Sequence, residues 1–149
     1  PLEKRIFRWK ANAFLWKIRK DAPVQKGFNW AYKIPKTREA PRARFLGAPA
    51  VSDGTVFVGD TNGKIYTFLI KDGTSGWTYE AKSAIESSVV VIGDVVLFGS
   101  RNGKLHGLSK TTGELVWQFD IGEPIAGGPI FANNMLYVTS TSGSLYAIN

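Results

Sequence analysis

A step of forty residues runs through this chain. Asn62-Gly63, Asn102-Gly103 and Ser142-Gly143 fall 40 apart, Trp77 and Trp117 keep the same step, and so does the apolar trio Phe45, Ile85 and Ile125. Self-similarity in this range specifies small supersecondary units that bury their apolar faces against one another, rather than one irregular domain. The composition agrees: 16 glycines and 19 aromatic residues, with one Met and one His, suit an all-β protein with many turns.

Aligning the copies places turn chemistry at matching positions. The first turn of each unit is Asp53-Gly54, Gly93-Asp94 and Asn133-Asn134, residue types that tolerate the positive φ of a tight hairpin. Each is flanked by β-branched and aromatic residues: Ala50-Val51 and Val56-Phe57-Val58, Val89 to Ile92 and Val95 to Phe98, Ile130-Phe131 and Leu136-Tyr137-Val138. A second turn follows at Thr61 to Lys64, Arg101 to Lys104 and Thr141 to Ser144, and a third strand at Ile65 to Phe68, Leu105 to Leu108 and Leu145 to Ile148. In the first two copies a third turn closes on Gly73 and Gly113, before a fourth strand through Trp77-Thr78-Tyr79 and Trp117-Gln118-Phe119. Four antiparallel strands per forty residues make the unit of a β-propeller blade.

Within this pattern, the run from Gly107 through Ser109, Thr112 and Gly113 to Trp117 resembles the Ala-x-Asp-x-x-Thr-Gly-x-x-x-Trp motif of pyrroloquinoline-quinone-like propeller repeats. Leu145 to Asn149 resembles the first part of the same motif, and the likeness covers about residues 26 to 149. The copy around Trp77 departs from it, with Leu69 and Asp72 where Asp and Thr are usual. The resemblance implies that Trp30, Gly73, Trp77, Gly113 and Trp117 knit neighbouring blades together, with or without a cofactor. It also implies a periplasmic, otherwise extracytoplasmic or membrane-surface location.

The third copy reaches Asn149 before a fourth strand, while Lys26 to Ile34 resembles a Gly-x-x-x-Trp fourth strand with one residue removed. That gives twelve expected strands, three blades' worth, in the closing arrangement where an N-terminal strand completes the C-terminal blade. Closed propellers have roughly four to eight blades, so three describe an incomplete ring. Open strand edges are templates for pairing unless covered. Three solutions follow: a homodimer forming a six-bladed ring, a partner chain supplying blades, or a longer propeller of which this is one piece. An obligate assembly is the favoured expectation.

Charge divides the chain in the same place. Residues 1–45 hold 13 Lys and Arg against three acids, a net of +10, whereas residues 46–149 carry a net of −3. Residues 1–25 read as a basic amphipathic segment and 26–149 as the repeats. Leu2, Ile6, Trp9, Ala13 and Trp16 recur at helical spacing, predicting a helix of about 4 to 20 ended by Asp21-Ala22-Pro23. Aromatics interleaved with Arg5, Arg8, Lys10, Lys17, Arg19 and Lys20 fit an anionic membrane surface or a nucleic acid; the favoured expectation is that Trp9, Phe14 and Trp16 pack on the repeats or a neighbouring subunit, with the charges as a solvated face. Between Trp30 and Phe45 lie seven residues more than at the matching junctions, carrying Lys36, Arg38, Arg42 and Arg44. Insertions of this kind map to loops on one face, and this one is a candidate contact for an acidic partner, against the alternative of a solvated loop.

Chemistry is scarce. Without cysteine there is no disulfide, thiolate metal site or cysteine nucleophile. No run of 18 apolar residues offers a transmembrane helix, and the start lacks the apolar core of a signal peptide. Beginning at Pro1 fits either Met removal or a fragment of a longer precursor. His106 aligns with Tyr66 and Tyr146, so it fills an aromatic strand position, and no serine or acid joins a catalytic constellation. Quinone-dependent dehydrogenases of the resembled family hold calcium with acidic and amide side chains, which nothing here matches; no cofactor, metal or small-molecule substrate is expected. The expectation is a non-catalytic scaffold binding other subunits or a second copy of itself, akin to quinone-free assembly factors of the family. The alternatives are a fragment or subunit of a quinone-dependent oxidoreductase and a peripheral binder of membrane or nucleic acid through residues 1–45.

Overall fold

The computed structural model describes residues 29–35 and 42–149. The helix expected over about residues 4 to 20 and the contacts expected of Arg5, Arg8, Trp9, Lys10, Trp16, Lys17, Arg19, Lys20, Lys36 and Arg38 lie outside these residues.

Eleven strands and no helix are found among the described residues. Blade 1 is β1 (Ala50–Ser52), β2 (Thr55–Gly59), β3 (Lys64–Leu69) and β4 (Ser75–Glu80). Blade 2 is β5 (Val90–Ile92), β6 (Val95–Gly99), β7 (Lys104–Ser109) and β8 (Leu115–Asp120). Blade 3 is β9 (Ile130–Ala132), β10 (Met135–Thr139) and β11 (Leu145–Ile148). Each is an antiparallel sheet with its strands in chain order, two of four strands and one of three.

The turn residues select the turn types. Asp53 and Gly54 both have positive φ, 46° and 73°, as do Asn133 and Asn134, 50° and 61°, which is the type I′ requirement. At Gly93-Asp94 only the glycine is positive, φ 57°, the type II′ pattern with glycine first. The second turn is pinned from inside. Buried Asp60 accepts from the Asn62 and Lys64 amides at 3.0 and 2.9 Å and from the Tyr66 hydroxyl at 3.0 Å. At the matching positions Ser140 accepts from the Ser144 amide at 3.1 Å, and Ser100 Oγ lies 3.0 Å from His106 Nε2.

Blades stack through two apolar seams. Phe57, Ile65, Ala81 and Ile85 meet Val89, Val96, Phe98 and Leu108 of blade 2; one repeat later Leu97, Leu105 and Ile125 meet Leu136 and Val138 of blade 3. Ile85 and Ile125 lie so close to the ends of β2 and β6 that a Cβ on Gly59 or Gly99 would fall 2.5 or 2.2 Å from their methyls. The glycines make these seats. Near the inner strands the backbones also crowd: a Cβ on Gly47 would lie 2.0 Å from the Ser87 carbonyl oxygen, and one on Gly128 would lie 2.8 Å from Ser88 Cβ.

The expected twelfth strand differs. Residues 30–34 belong to no sheet among the described residues. They lie on blade 1 instead, with the Tyr32 ring 4.6 Å from that of Phe68 and 5.6 Å from that of Tyr66. A strand assignment needs a hydrogen-bonded neighbour, and none of the described strands stands beside this segment.

Candidate functional site: the blade faces

The Trp–Gly positions form the joints. Trp77 leaves β4 at a bulge, where the register with β3 shifts between Tyr66 and Phe68, a device that re-aims a side chain. Its indole covers Gly113 of blade 2 and its Nε1 donates to the Lys110 carbonyl at 3.0 Å. A Cβ on Gly113 would stand 2.5 Å from the ring. Trp30 repeats the arrangement on blade 1: its Nε1 donates to the Ile70 carbonyl at 2.7 Å, and a Cβ on Gly73 would stand 2.8 Å from the ring. Trp117 packs into the second seam above Gly107 of its own blade, and no glycine of a following blade lies against it among the described residues.

A polar strap crosses the first joint. Lys110 Nζ lies 2.7 Å from Asp53 of blade 1, 3.3 Å from Asp94 and 3.0 Å from the Gly93 carbonyl oxygen. The Lys110 hydrogen bond and charge hold the Asp53 carboxyl below its ordinary range, and the Asp53 hydrogen bond raises the Lys110 ammonium. Exposed pairs contribute about 0–1 kcal/mol, so the strap fixes which turns face each other more than it stabilises them. Sequence reasoning missed it, because Asp53 and Asp94 read as turn formers and no local pattern joins them to Lys110.

The blade faces carry the main asymmetry. Ile65, Leu105 and Leu145 hold one register position; the first two are 0% exposed and Leu145 is 68% exposed. Ile130, also on blade 3, is 65% exposed, while at the opposite end of the stack Val51 of blade 1 is 61% exposed. Trp30 and Tyr32 cover the part of that end over Gly73, Tyr66 and Phe68. β11 is the outermost strand of its sheet, with a free edge among the described residues.

Of the inserted loop, Arg42 and Arg44 are described and exposed, and the Arg44 backbone pairs with Thr61, amide to Oγ1 at 3.0 Å and carbonyl to amide at 2.9 Å. His106 is buried, stacked at 4.8 Å on Phe98 and within 3.1 Å of Gln118 Nε2. Burial, with Lys104 nearby, pushes its imidazole down to about 4, so it is neutral at physiological pH. Among the described residues no group of three or more His, Asp or Glu is placed to hold a metal. A crevice of about 330 Å³ lies beside the first joint, lined by Phe57, Thr67, Trp77 and Lys110 among others. Its one ammonium is already paired with the strap carboxylates.

Comparison with known proteins gives these joints a context. Residues 36–105 and 82–149 match the PQQ_2 family model, described as "Outer membrane protein assembly factor BamB". Among solved structures the chain is similar to BamB from Moraxella catarrhalis, at 27% identity and a TM-score of 0.60, over 67% of this chain and 32% of that one. It also matches the quinohemoprotein alcohol dehydrogenase ADHIIG from Pseudomonas putida HK5, at 21% identity and a TM-score of 0.63, over 70% of this chain and 20% of that one. The computationally designed Ika4 protein matches at 19% identity and a TM-score of 0.59, over 68% and 65% of the two chains. The last two likenesses show the fold alone. The match spans about a third of BamB and a fifth of the dehydrogenase. No curated protein sequence matches significantly.

Proposed function

Because the chain belongs to the PQQ-like repeat family whose model is described as outer membrane protein assembly factor BamB, we propose that it is a non-catalytic scaffold that binds partner proteins through its blade faces and strand edges. The observation that carries this reading is Leu145, 68% exposed among the described residues at a position that is 0% exposed in the other two blades. Contiguous apolar surface of this kind marks contact with another protein. Removing a Leu side chain from water contributes about 1.5–3 kcal/mol, so a partner that covers Leu145 and Ile130 gains a hydrophobic centre for its interface. The β11 edge adds backbone donors and acceptors for β-augmentation. The family description as an assembly factor supports the same role.

The basic residues 1–45 are the second proposed contact, drawing the scaffold to an acidic protein face or an anionic membrane surface. No catalytic residue is assigned. The oxidoreductase alternative draws on fold likeness alone, and fold does not carry activity.

Binding partners are captured with the full chain and with Leu145→Asp. The reading expects a defined partner whose binding falls at least tenfold in the variant. Unchanged capture overturns the face as the contact. Pyrroloquinoline quinone with calcium is expected to leave the melting temperature unmoved and to elicit no alcohol oxidation; a rise of several degrees would restore the enzyme reading.

A further inference from the structure

One side of the stack carries a gradient of charge. The junction leading into each blade ends beside that blade's second turn: the Thr61, Arg101 and Thr141 amides donate to the Arg44, Ala84 and Pro124 carbonyls, each at 2.9 Å. Where a junction begins, the Ala81 and Ile121 amides donate to Gly63 and Gly103 of the turn they leave, at 2.7 and 2.9 Å. Junctions and second turns therefore line one side, while the hairpin turns at Asp53-Gly54, Gly93-Asp94 and Asn133-Asn134 lie at the other ends of β2, β6 and β10.

With Trp30 over Gly73 as Trp77 lies over Gly113, Lys33 stands at the position of Glu80 and Asp120 in the next two junctions. The described residues of the first junction, 33–35 and 42–44, hold Lys33, Arg42 and Arg44 and no acid. The second, 80–84, holds Glu80 and Lys82; the third, 120–124, holds Asp120 and Glu123 and no cation. Cations of the turns are matched locally, Lys64 by Glu80 at 3.7 Å and Arg101 by Glu86 at 3.2 Å. Lys33, Arg42, Arg44 and Lys82 are exposed and make no ion pair among the described residues. Lys82 adds an independent sign. Its φ of 56° is left-handed, and the matching residue of the third junction is Gly122, φ 75°. The chain bears the cost of that conformation for a lysine where glycine would bear none.

We propose that this side of the stack docks a protein partner of graded charge, acidic where it meets Lys33, Arg42, Arg44 and Lys82 and basic where it meets Asp120 and Glu123. Stacked sheets lie about 10 Å apart, so the first and third junctions are separated by about 20 Å, beyond the screening length of about 10 Å at 0.1 M salt. The acidic end therefore does not cancel the basic one. A membrane or nucleic acid is anionic throughout and would be attracted at one end and repelled at the other. A protein surface can carry both signs, and matched potentials of this kind fix orientation. The proposal rests on the reading of residues 1–45 as a partner contact, and names the partner's chemistry.

The probe is a synthetic peptide with a glutamate run and a lysine run joined by a flexible Gly–Ser linker reaching about 20 Å. Its control has the same composition with the two residues alternating. Titrated into the isotope-labelled chain, the segregated peptide is expected to shift the amides of the first and third junctions and to bind about fivefold tighter than the control. Equal affinities, or shifts confined elsewhere, overturn the proposal. Arg42→Glu with Arg44→Glu should weaken the segregated peptide about fivefold or more; both side chains are exposed, and Arg44 is tied to Thr61 through its backbone alone. Lys82→Gly should raise the melting temperature while lowering affinity, a pair of responses that a structural lysine would not give. Affinity unchanged in both variants overturns the surface. Loss of binding to phosphatidylserine vesicles or single-stranded DNA in the Arg42→Glu, Arg44→Glu chain, without loss of peptide binding, assigns the side to a polyanion and overturns the protein partner. Leu145→Asp separates the two readings. If it weakens partner capture while the peptide finds no site, the apolar contact stands and the graded surface falls.

Discussion

Gly113 and Gly93 both have positive φ, 76° and 57°, and differ in what stands beside them. A Cβ on Gly93 meets nothing within 4 Å, whereas on Gly113 it meets the Trp77 ring at 2.5 Å. Gly93→Ala is therefore expected to cost about 1–2 kcal/mol, the left-handed backbone penalty alone. Gly113→Ala adds overpacking of about 1–3 kcal/mol and the displaced indole hydrogen bond. Denaturant midpoints of the two variants read the difference; equal losses would mean that the Trp77 joint contributes nothing to folding. His106 carries a pH prediction. Its folded value of about 4 lies below the ordinary 6.5, so the native state holds it neutral while the unfolded chain takes up a proton first. Stability should fall as pH drops from about 6.5 and level off below about 4, a total on the order of 3 kcal/mol. Replacing it by Tyr, the residue at positions 66 and 146, should flatten that part of the stability–pH curve relative to the parent chain. An unchanged slope would mean that His106 is protonated in the fold.

Among the elements, each blade solves one packing problem differently. In blade 2 Ser87 Oγ accepts from the Gly99 amide at 2.9 Å and donates to its carbonyl at 3.0 Å; in blade 3 the same two positions are Gly127 and Thr139. A Cβ on Gly127 would fall 2.2 Å from Thr139 Oγ1, so one side chain fills the space in either case. Gly127→Ser alone is expected to cost about 1–3 kcal/mol by overpacking. Combined with Thr139→Gly it should recover most of that loss, a coupling that a double-mutant cycle measures. Additive losses would show that the two positions do not share the space. This exchange is visible in the sequence only once the repeats are aligned and the geometry is known. The strands were legible because hairpin turn residues recur in register with β-branched runs, and Asp53-Gly54 and Gly93-Asp94 even carry their separate turn types. The segment Trp30–Ile34 has a strand's residues without a strand's neighbour, and side-chain pattern cannot supply a hydrogen-bonding partner. Phe45 shares the step of Ile85 and Ile125 yet is 37% exposed against 0% and 1%, since burial depends on what stands opposite. The blade-face site was hidden for the same reason: Leu145 reads like Ile65 and Leu105. The Lys110 strap joins separate turns through contacts that no local pattern encodes.

At the scale of the whole molecule, separate charge and apolar surfaces give separable responses. Residues 1–45 hold a net of +10 and the remainder −3, so attraction of the N-terminal part to an anionic surface should weaken as salt rises, with a screening length of about 10 Å at 0.1 M. Vesicles containing anionic lipid are expected to lose the chain on deletion of residues 1–20; retention would place the contact elsewhere. Partner contact through Leu145 and Ile130 instead buries apolar surface and should tolerate salt. It should also leave a thermodynamic mark that no change inside a single copy produces. A partner that binds the folded chain raises its melting temperature with partner concentration by mass action. The parent chain is expected to show that rise, and Leu145→Asp to remove it while leaving the melting temperature without partner unchanged. Gly113→Ala should do the reverse, lowering the melting temperature at every concentration with the slope preserved, since Gly113 lies at a joint inside one copy. Scanning calorimetry across a concentration series checks all three chains together. A parent melting temperature independent of concentration would make the stack of three blades self-sufficient, and the exposed Leu145 face would then be surface that folding does not require to be covered.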